Sequence, residues 1–327
     1  MKKAISVLLL VAFCLIYSGC GGAEASYEER EFFVMDTVFT LRIYGENEEN
    51  AAHFSRVGSL LYELEKTLSA THPESDVSRI NRERAVGDLS PHTVSVLQTA
   101  AKAMVLTDGA YLPTMGALSA LWKRAGEENT LPDPAVLAAA LADARQGFVL
   151  EDGTCTLIGE SALLDLGGIG KGYAADCVVA YLRDAGIQGA LLSFGSSVAT
   201  VGEKGNGEDF TVGLRHPRDS AATVGTWQGP RGVLSVSGDY ERYVTVQGAR
   251  YHHVLDPQSG YPTSGEIVSV AVLCESGALS DALSTAFLVL GRERAEQVLR
   301  CGDVSAEAVF INAVGQCFST AEGFVAK

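Results

Sequence analysis

An α+β fold, built as one unit of one or two lobes, is what this sequence predicts, and three observations predict it. Segments of strand composition alternate with segments of helical spacing. The strand-rich middle is punctuated by turn signals at hairpin intervals rather than by regular βαβ repeats. No internal repeat or low-complexity block interrupts the chain from Phe32 onward. With 327 residues, 47% hydrophobic and 20% charged, the chain can bury a substantial core.

Residues 1–19 open with two lysines, continue through an apolar run from Ala4 to Tyr17, and end in small residues before Cys20. The run is too short for an ordinary membrane span and reads as an export signal. Its ending, "YSGC", resembles a lipobox with Tyr17 in place of the usual leucine. Cys20 would then be lipidated and begin a polar tether over residues 20–31, giving an exported lipoprotein anchored on the extracytoplasmic side. A secretory peptide cut nearby and an uncleaved anchor are the alternatives.

Residues 32–327 carry the rest. "EFFVMDTVFTLRIYG" has strand composition and is ended by Gly45. "NEENAAHFSRVGSLLYELEKTLSA" shows helical spacing through Phe54, Val57, Leu61 and Leu64. "PHTVSVLQTAAKAMVLTDGAY" gives a second helix, closed by Gly109, and "DPAVLAAALADA" a third, with Pro134 near its first turn. Residues 148–166 and 190–250 read as short strands joined by turns such as "EDGT", "EKGNGED" and "VQGAR". The final third reads as strand, helix ("SGALSDALSTAFLVLG"), helix ("RERAEQVLR") and strands.

A net charge of −15 disfavours nucleic acid as a partner, so a phosphate ligand would need a metal or a placed lysine. Beyond Cys14 and Cys20, five cysteines remain, with neither C-x-x-C nor metal-ligand spacing, and they read mostly as small core hydrophobes.

Three stretches can carry chemistry. In "LLDLGGIGKGYAADCVVAYL" the glycines let main-chain amides approach an anion at a helix N-terminus. A P-loop is excluded, because Gly172 follows Lys171 where a hydroxyl is required. Gly170 to Ala175 fits G-x-G-x-x-A, but the following strand "GALLSFGSSVATVG" lacks the acid a dinucleotide site needs about twenty residues on. A turn whose glycines serve packing alone is the third reading. "YHHVLDPQSGYPTSG" places His252, His253 and Asp256 within five residues, as a catalytic loop or as an Asp-Pro turn with a histidine on its rim. It lacks the H-E-x-x-H spacing of a zinc site. Asp281 and Thr285, at i and i+4, share a helix face and offer two oxygens to a hard cation, or are an ordinary acid and threonine near a helix start.

Taken in order, "MDT", "SDVSRIN", "DGAYLPTMGALSALW", "DLGGIGKGYAAD", "GDYERY", "HHVLDPQSGYP" and "DALSTAFLVLG" resemble the FAD:protein FMN transferases of the ApbE-like flavin transferase family, from about Phe32 to the C-terminal region. The resemblance implies an ApbE-like, T-fold-like catalytic unit with FAD in a central cleft. It implies Mg2+-dependent transfer of FMN from FAD to a threonine or serine hydroxyl of an acceptor protein, an exported or membrane redox subunit, with release of AMP. Position by position, Asp281, Thr285 and the carbonyl of Gly168 match the magnesium ligands. Lys171 and Asp165 match FAD contacts, to its phosphates and its adenosine portion, while Met35, Ala110, Tyr111, Leu112 and Val254 match positions lining the nucleotide pocket. His253 matches the histidine beside the pyrophosphate and is assigned as the base. The chain departs from the family pattern at Leu112, where aspartate is common, near Thr71, where an aromatic is common, and at Gly195-Ser196-Ser197, where G-G-[ND] is usual. The same site with water as acceptor would be an FAD pyrophosphatase; without turnover, the chain would be an exported flavin carrier.

Overall fold

Period-two alternation organises the molecule. A computed structural model describes residues 25–327; the signal segment, Cys20 and the start of the tether lie outside the described residues. In chain order the elements are β1 (Tyr27–Val34), β2 (Thr37–Tyr44), α1 (Asn50–Leu68), α2 (Asp76–Glu83), β3 (Ala85–Val86), α3 (Pro91–Leu106), α4 (Gly116–Glu128), α5 (Pro134–Ala144), β4 (Phe148–Glu151), β5 (Thr154–Leu157), α6 (Gly170–Asp184), β6 (Gly189–Phe194), β7 (Ser197–Gly202), β8 (Thr211–His216), β9 (Asp219–Gln228), β10 (Val233–Gly238), β11 (Tyr243–Val246), β12 (Ala249–His252), β13 (Ile267–Cys274), α7 (Gly277–Cys301), β14 (Ala306–Asn312), β15 (Cys317–Ser319) and β16 (Phe324–Ala326). Eight strands form one sheet, ordered β1-β2-β6-β7-β10-β13-β14-β15, with every neighbouring pair antiparallel.

Alternate residues of the central strands enter two different cores. Val270 and Val272, Ala308 and Phe310, and Leu192 and Phe194 join the large core with α1, α3, α6 and α7. Their neighbours Ala271, Val309, Ile311 and Leu191 join a second cluster with Val212, Leu214, Val224 and Trp227 of the small β16-β9-β8 sheet. Burial on both faces explains why "IVSVAVLC" is nearly continuous in apolar residues instead of alternating with polar ones. A third cluster joins α4 and α5 to Val246 of the β11-β12 hairpin and to Leu255.

The helical spacings become α1, α3 and α5. Ser90 and Asp133 cap the last two, each followed by proline at the first helical position. The last helical stretch, α7, is two helices as expected, meeting at Gly291, where φ is 70° and ψ 175°.

Several strand expectations need correction. "EFFVMDTVFTLRIYG" is a hairpin, β1-β2, turned at Met35 and Asp36 with φ of 54° and 55°, which is type I′ geometry without the usual Asn or Gly. "GALLSFGSSVATVG" is likewise two paired strands, β6 and β7, with Gly195 at φ 58° between them. "EKGNGED" does not close a hairpin: β7 belongs to the large sheet and β8 to the small one, and only β8-β9 pair across the next turn. The glycine-rich stretch follows no strand; residues 158–169 are a loop with one isolated bridge, Met115 to Leu163, so no Rossmann unit exists there.

What positions the site is the meeting of α6 and α7. Asp281 on α7 accepts the N–H of Gly172 at 3.1 Å. Asp176 on α6 accepts the N–H groups of Gly277 and Ala278 at 2.5 and 2.9 Å. Each helix therefore satisfies free N–H donors of the other's first turn with a carboxylate, favourable to both helix dipoles. The backbones approach so closely that a Cβ on Gly172 would collide with the Gly277 carbonyl oxygen. Gly172→Ala is therefore expected to lose about 1–3 kcal/mol or more in urea unfolding. Gly170→Ala, with nothing within 4 Å of its added Cβ, should leave stability unchanged or slightly raised.

Candidate active site

The Asp281 carboxylate is buried, its side chain 7% exposed, and beyond Gly172 its neighbour is the Lys171 ammonium, 3.6 Å away. Lys171 Nζ also donates to the Gly167 carbonyl at 2.8 Å. One helical turn on, Thr285 Oγ1 lies 3.3 Å from both the Asp281 carbonyl oxygen and Ser237 Oγ, and Ser237 in turn meets Ser284 Oγ at 2.8 Å. Gly168 closes this corner: a Cβ there would sit 3.5 Å from Thr285 Oγ1 and 3.4 Å from the Tyr111 ring. Glycine, acid, lysine and threonine, separate in sequence, thus converge on one spot. Tyr111 is buried with its hydroxyl unpartnered, and burial with the nearby charges of Asp281 and Asp165 holds it a neutral phenol.

The two histidines have different jobs. His252 is satisfied on both ring nitrogens, Nε2 facing the Thr263 carbonyl at 2.8 Å and Nδ1 accepting from Val254 N–H at 3.3 Å. His253 has only Nδ1 engaged, 3.1 Å from the Arg242 carbonyl oxygen. A carbonyl can only accept, so the neutral ring carries its proton on Nδ1 and keeps the Nε2 lone pair free. His253 keeps a solvent-accessible face, yet the protein packed around it desolvates the ring. That desolvation, aided by the positive charges of Arg242 and Lys171, pushes its pKa down to about 4. Asp256, a third candidate in this loop, builds the turn instead: its carboxylate accepts from Gln258 N–H at 2.8 Å and Ser259 Oγ at 3.1 Å. The loop is pinned from below. Trp122 Nε1 donates to the Gly260 carbonyl at 2.8 Å and its ring stacks on Tyr251, while Arg145 donates to the carbonyls of Pro257 and Gln258.

Residues 35–310 match the sequence model described as the ApbE family. The chain belongs to that family. A relative from Klebsiella pneumoniae (strain 342), named FAD:protein FMN transferase, is 35% identical over 85% of this chain and 87% of its own length. One of the same name from Treponema pallidum (strain Nichols) is 31% identical over 89% and 87%. Among solved structures, the ApbE protein of Thermotoga maritima superposes with a TM-score of 0.80 at 28% identity, covering 90% of this chain and 97% of that one.

The remaining residues matched to the ApbE pattern lie in neighbouring loops and in the cores beneath them. Asp165 accepts from Gly167 N–H at 2.9 Å, and its own N–H donates to the Pro113 carbonyl, tying the Gly168 loop to the Ala110–Leu112 run. Ala110 is buried in the large core, while Leu112 packs against the α4-α5 cluster. Met35 sits in the left-handed β1-β2 turn, its N–H held by Glu65 Oε1 at 2.7 Å. Val254 is buried in the large core beside His253.

A hard cation fits the corner at Asp281. One carboxylate, one hydroxyl and the Gly167 carbonyl are oxygen donors near this spot, and the buried carboxylate lies beside an ammonium. Among the described residues no group of three or more His, Cys, Asp or Glu gathers as a metal site. Three residues were not singled out by sequence reasoning. Asn81 grips both backbone groups of Leu164, donating to its carbonyl at 2.9 Å and accepting its N–H at 2.6 Å, and so sets Asp165. Ser237 buttresses Thr285. Glu241 carries a buried, unpartnered Oε1, and desolvation raises its pKa. Asn81 lies in "SDVSRIN" and Glu241 in "GDYERY", so the motifs were the available signal.

With its pKa lowered, His253 stays neutral down to about pH 4 and charges only below that, whereas an ordinary histidine charges below about 6.5. Imidazole NMR titration of the ligand-free chain should show that displacement for His253; a midpoint near 6.5 would remove the desolvated setting.

Proposed function

We propose that this ApbE-family chain transfers FMN from FAD to a threonine or serine hydroxyl of an acceptor protein and releases AMP, using Mg2+ at the Asp281 corner. The observation that carries this reading is an oxygen-bearing corner beside the Lys171 ammonium, with a neutral histidine whose Nε2 is free lying within reach of that same lysine's charge. The names of the 35% and 31% identical relatives support it.

Asp281, Thr285 and the Gly168 carbonyl would hold the ion. When bound, a divalent cation supplies positive charge against the phosphoryl oxygens as the bridging bond weakens. Lys171 adds a second positive charge to the pyrophosphate, which an acidic protein must otherwise repel. Asp165 would hold the adenosine portion, and Met35, Ala110, Tyr111, Leu112 and Val254 would border the nucleotide. His253 Nε2 takes the proton from the acceptor hydroxyl, whose oxygen forms the new bond to the phosphorus of the FMN half. The bond from that phosphorus to the bridging oxygen breaks, and AMP leaves with the electron pair. Holding the Nδ1 proton on the Arg242 carbonyl fixes the tautomer this step needs.

The N-terminal pattern supports an exported lipoprotein held to the membrane through Cys20, with an exported or membrane redox subunit as acceptor. No described helix is long and apolar enough to cross a membrane.

Intact-protein mass spectrometry of a candidate acceptor domain, incubated with the enzyme, FAD and Mg2+ while AMP is followed, tests the proposal. A gain of one FMN that depends on the acceptor threonine is expected; AMP without labelling, with an acceptor that a relative does label, would leave a pyrophosphatase. His253→Ala should bind FAD but transfer about 10²–10⁴-fold more slowly. Asp281→Ala should lose most magnesium-dependent turnover while staying folded; an unchanged magnesium response would remove Asp281 from the ion site.

A further inference from the structure

Lys171 stands where a cation would stand. Its Nζ lies 3.6 Å from Asp281 Oδ2, at the corner shared by Gly168 and Thr285. A divalent ion and an ammonium cannot both rest against one buried carboxylate without strong repulsion, because little solvent screens them there. When the ion arrives the ammonium must turn away and find another acceptor.

Glu241 is placed to be that acceptor. Its segment runs between the two halves of the site: Ser237, four residues before it, touches Thr285 and Ser284, and the carbonyl of Arg242, one residue after it, holds His253. Its Oε1 is buried and has no hydrogen-bond partner. The charges that face it are those of Lys171, Arg215 and Asp281, and the Ser196 hydroxyl hydrogen-bonds its carboxylate, leaving Oε1 as the oxygen without a donor. Arg215 rests over the Tyr240 ring, 5.1 Å from its centroid, whereas Lys171, held by the Gly167 carbonyl and Asp281, is the cation that an ion at Asp281 would displace. A buried carboxylate oxygen without a donor is costly unless some state of the protein supplies one.

We propose that Glu241 is a positioning residue that receives the Lys171 ammonium when a divalent cation takes Asp281, so that one lysine serves as stand-in for the ion and then as a pyrophosphate ligand. The inference rests on the cation site of the proposed function. It makes metal affinity depend on Glu241 only through Lys171.

The test is a double-mutant cycle on Mn2+ affinity, read by EPR on the full chain without FAD, with Mg2+ as competitor. Glu241→Gln should weaken Mn2+ binding by about five- to thirty-fold when Lys171 is present, within the range of coupling between contacting residues. Lys171→Met should tighten binding, and in that background Glu241→Gln should change it less than about two-fold. Glu241→Asp, which keeps the charge, should recover most of the lost affinity. An equal loss in both backgrounds would mean that Glu241 acts on the ion directly, and no loss in either would mean that Lys171 needs no second seat; each overturns the proposal. Asp281→Asn separates the two readings: loss of Mn2+ binding there upholds the site whatever the cycle gives, and unchanged binding places the ion elsewhere.

Discussion

Two helix N-termini that meet head to head constrain this molecule more than any other contact. Free N–H groups crowd together where α6 and α7 begin, and each set needs an acceptor at a largely buried contact. The chain answers with a carboxylate exchanged in both directions, Asp176 toward α7 and Asp281 toward α6. Glycine at positions 172 and 277 is a condition of that exchange, since a side chain at either would separate the helices. The acid that would hold an ion is therefore set by helix packing, not by a loop, and its position is as rigid as the large core beneath it.

The histidine side is built by a different route. Its loop hangs on the α4-α5 cluster through Trp122 and Arg145, with the β11-β12 hairpin leading into it. The antiparallel sheet brings the two constructions together: β10 runs beside β13 and delivers the segment from Ser237 to Arg242 between them. Site residues thus come from seven stretches of chain, and the alignment of those on strands depends on sheet register, where a slip of one residue would exchange the contents of the two cores.

Much of this was legible in the sequence. Apolar spacing located α1, α3 and α5, and Gly109 and Pro134 marked ends that the structure keeps, because these signals act within one or two turns of chain. The i, i+4 spacing of Asp281 and Thr285 gave their shared face. What escaped depends on distant partners. The Met35-Asp36 turn has no glycine or asparagine to announce its left-handed backbone, and it is held by Glu65 from α1. His252 and His253 are the same residue type in adjacent positions, told apart by whether the Thr263 or the Arg242 carbonyl faces the ring. Glu241, flanked by tyrosine and arginine, reads as a solvated charge until the fold closes over it.

The break at Gly291 divides α7 into unequal responsibilities. Up to Leu290 the helix is largely buried and carries Asp281, Ser284 and Thr285; beyond it, from Arg292, most residues face solvent and pair among themselves, as Arg292 and Arg300 do with Glu296. A continuous helix would transmit every change in its outer turns as a rotation of the inner ones. With a non-helical residue between them, the exposed face of the outer half can change while Ala295, Val298 and Leu299 keep that half seated on the large core and the inner half keeps its register.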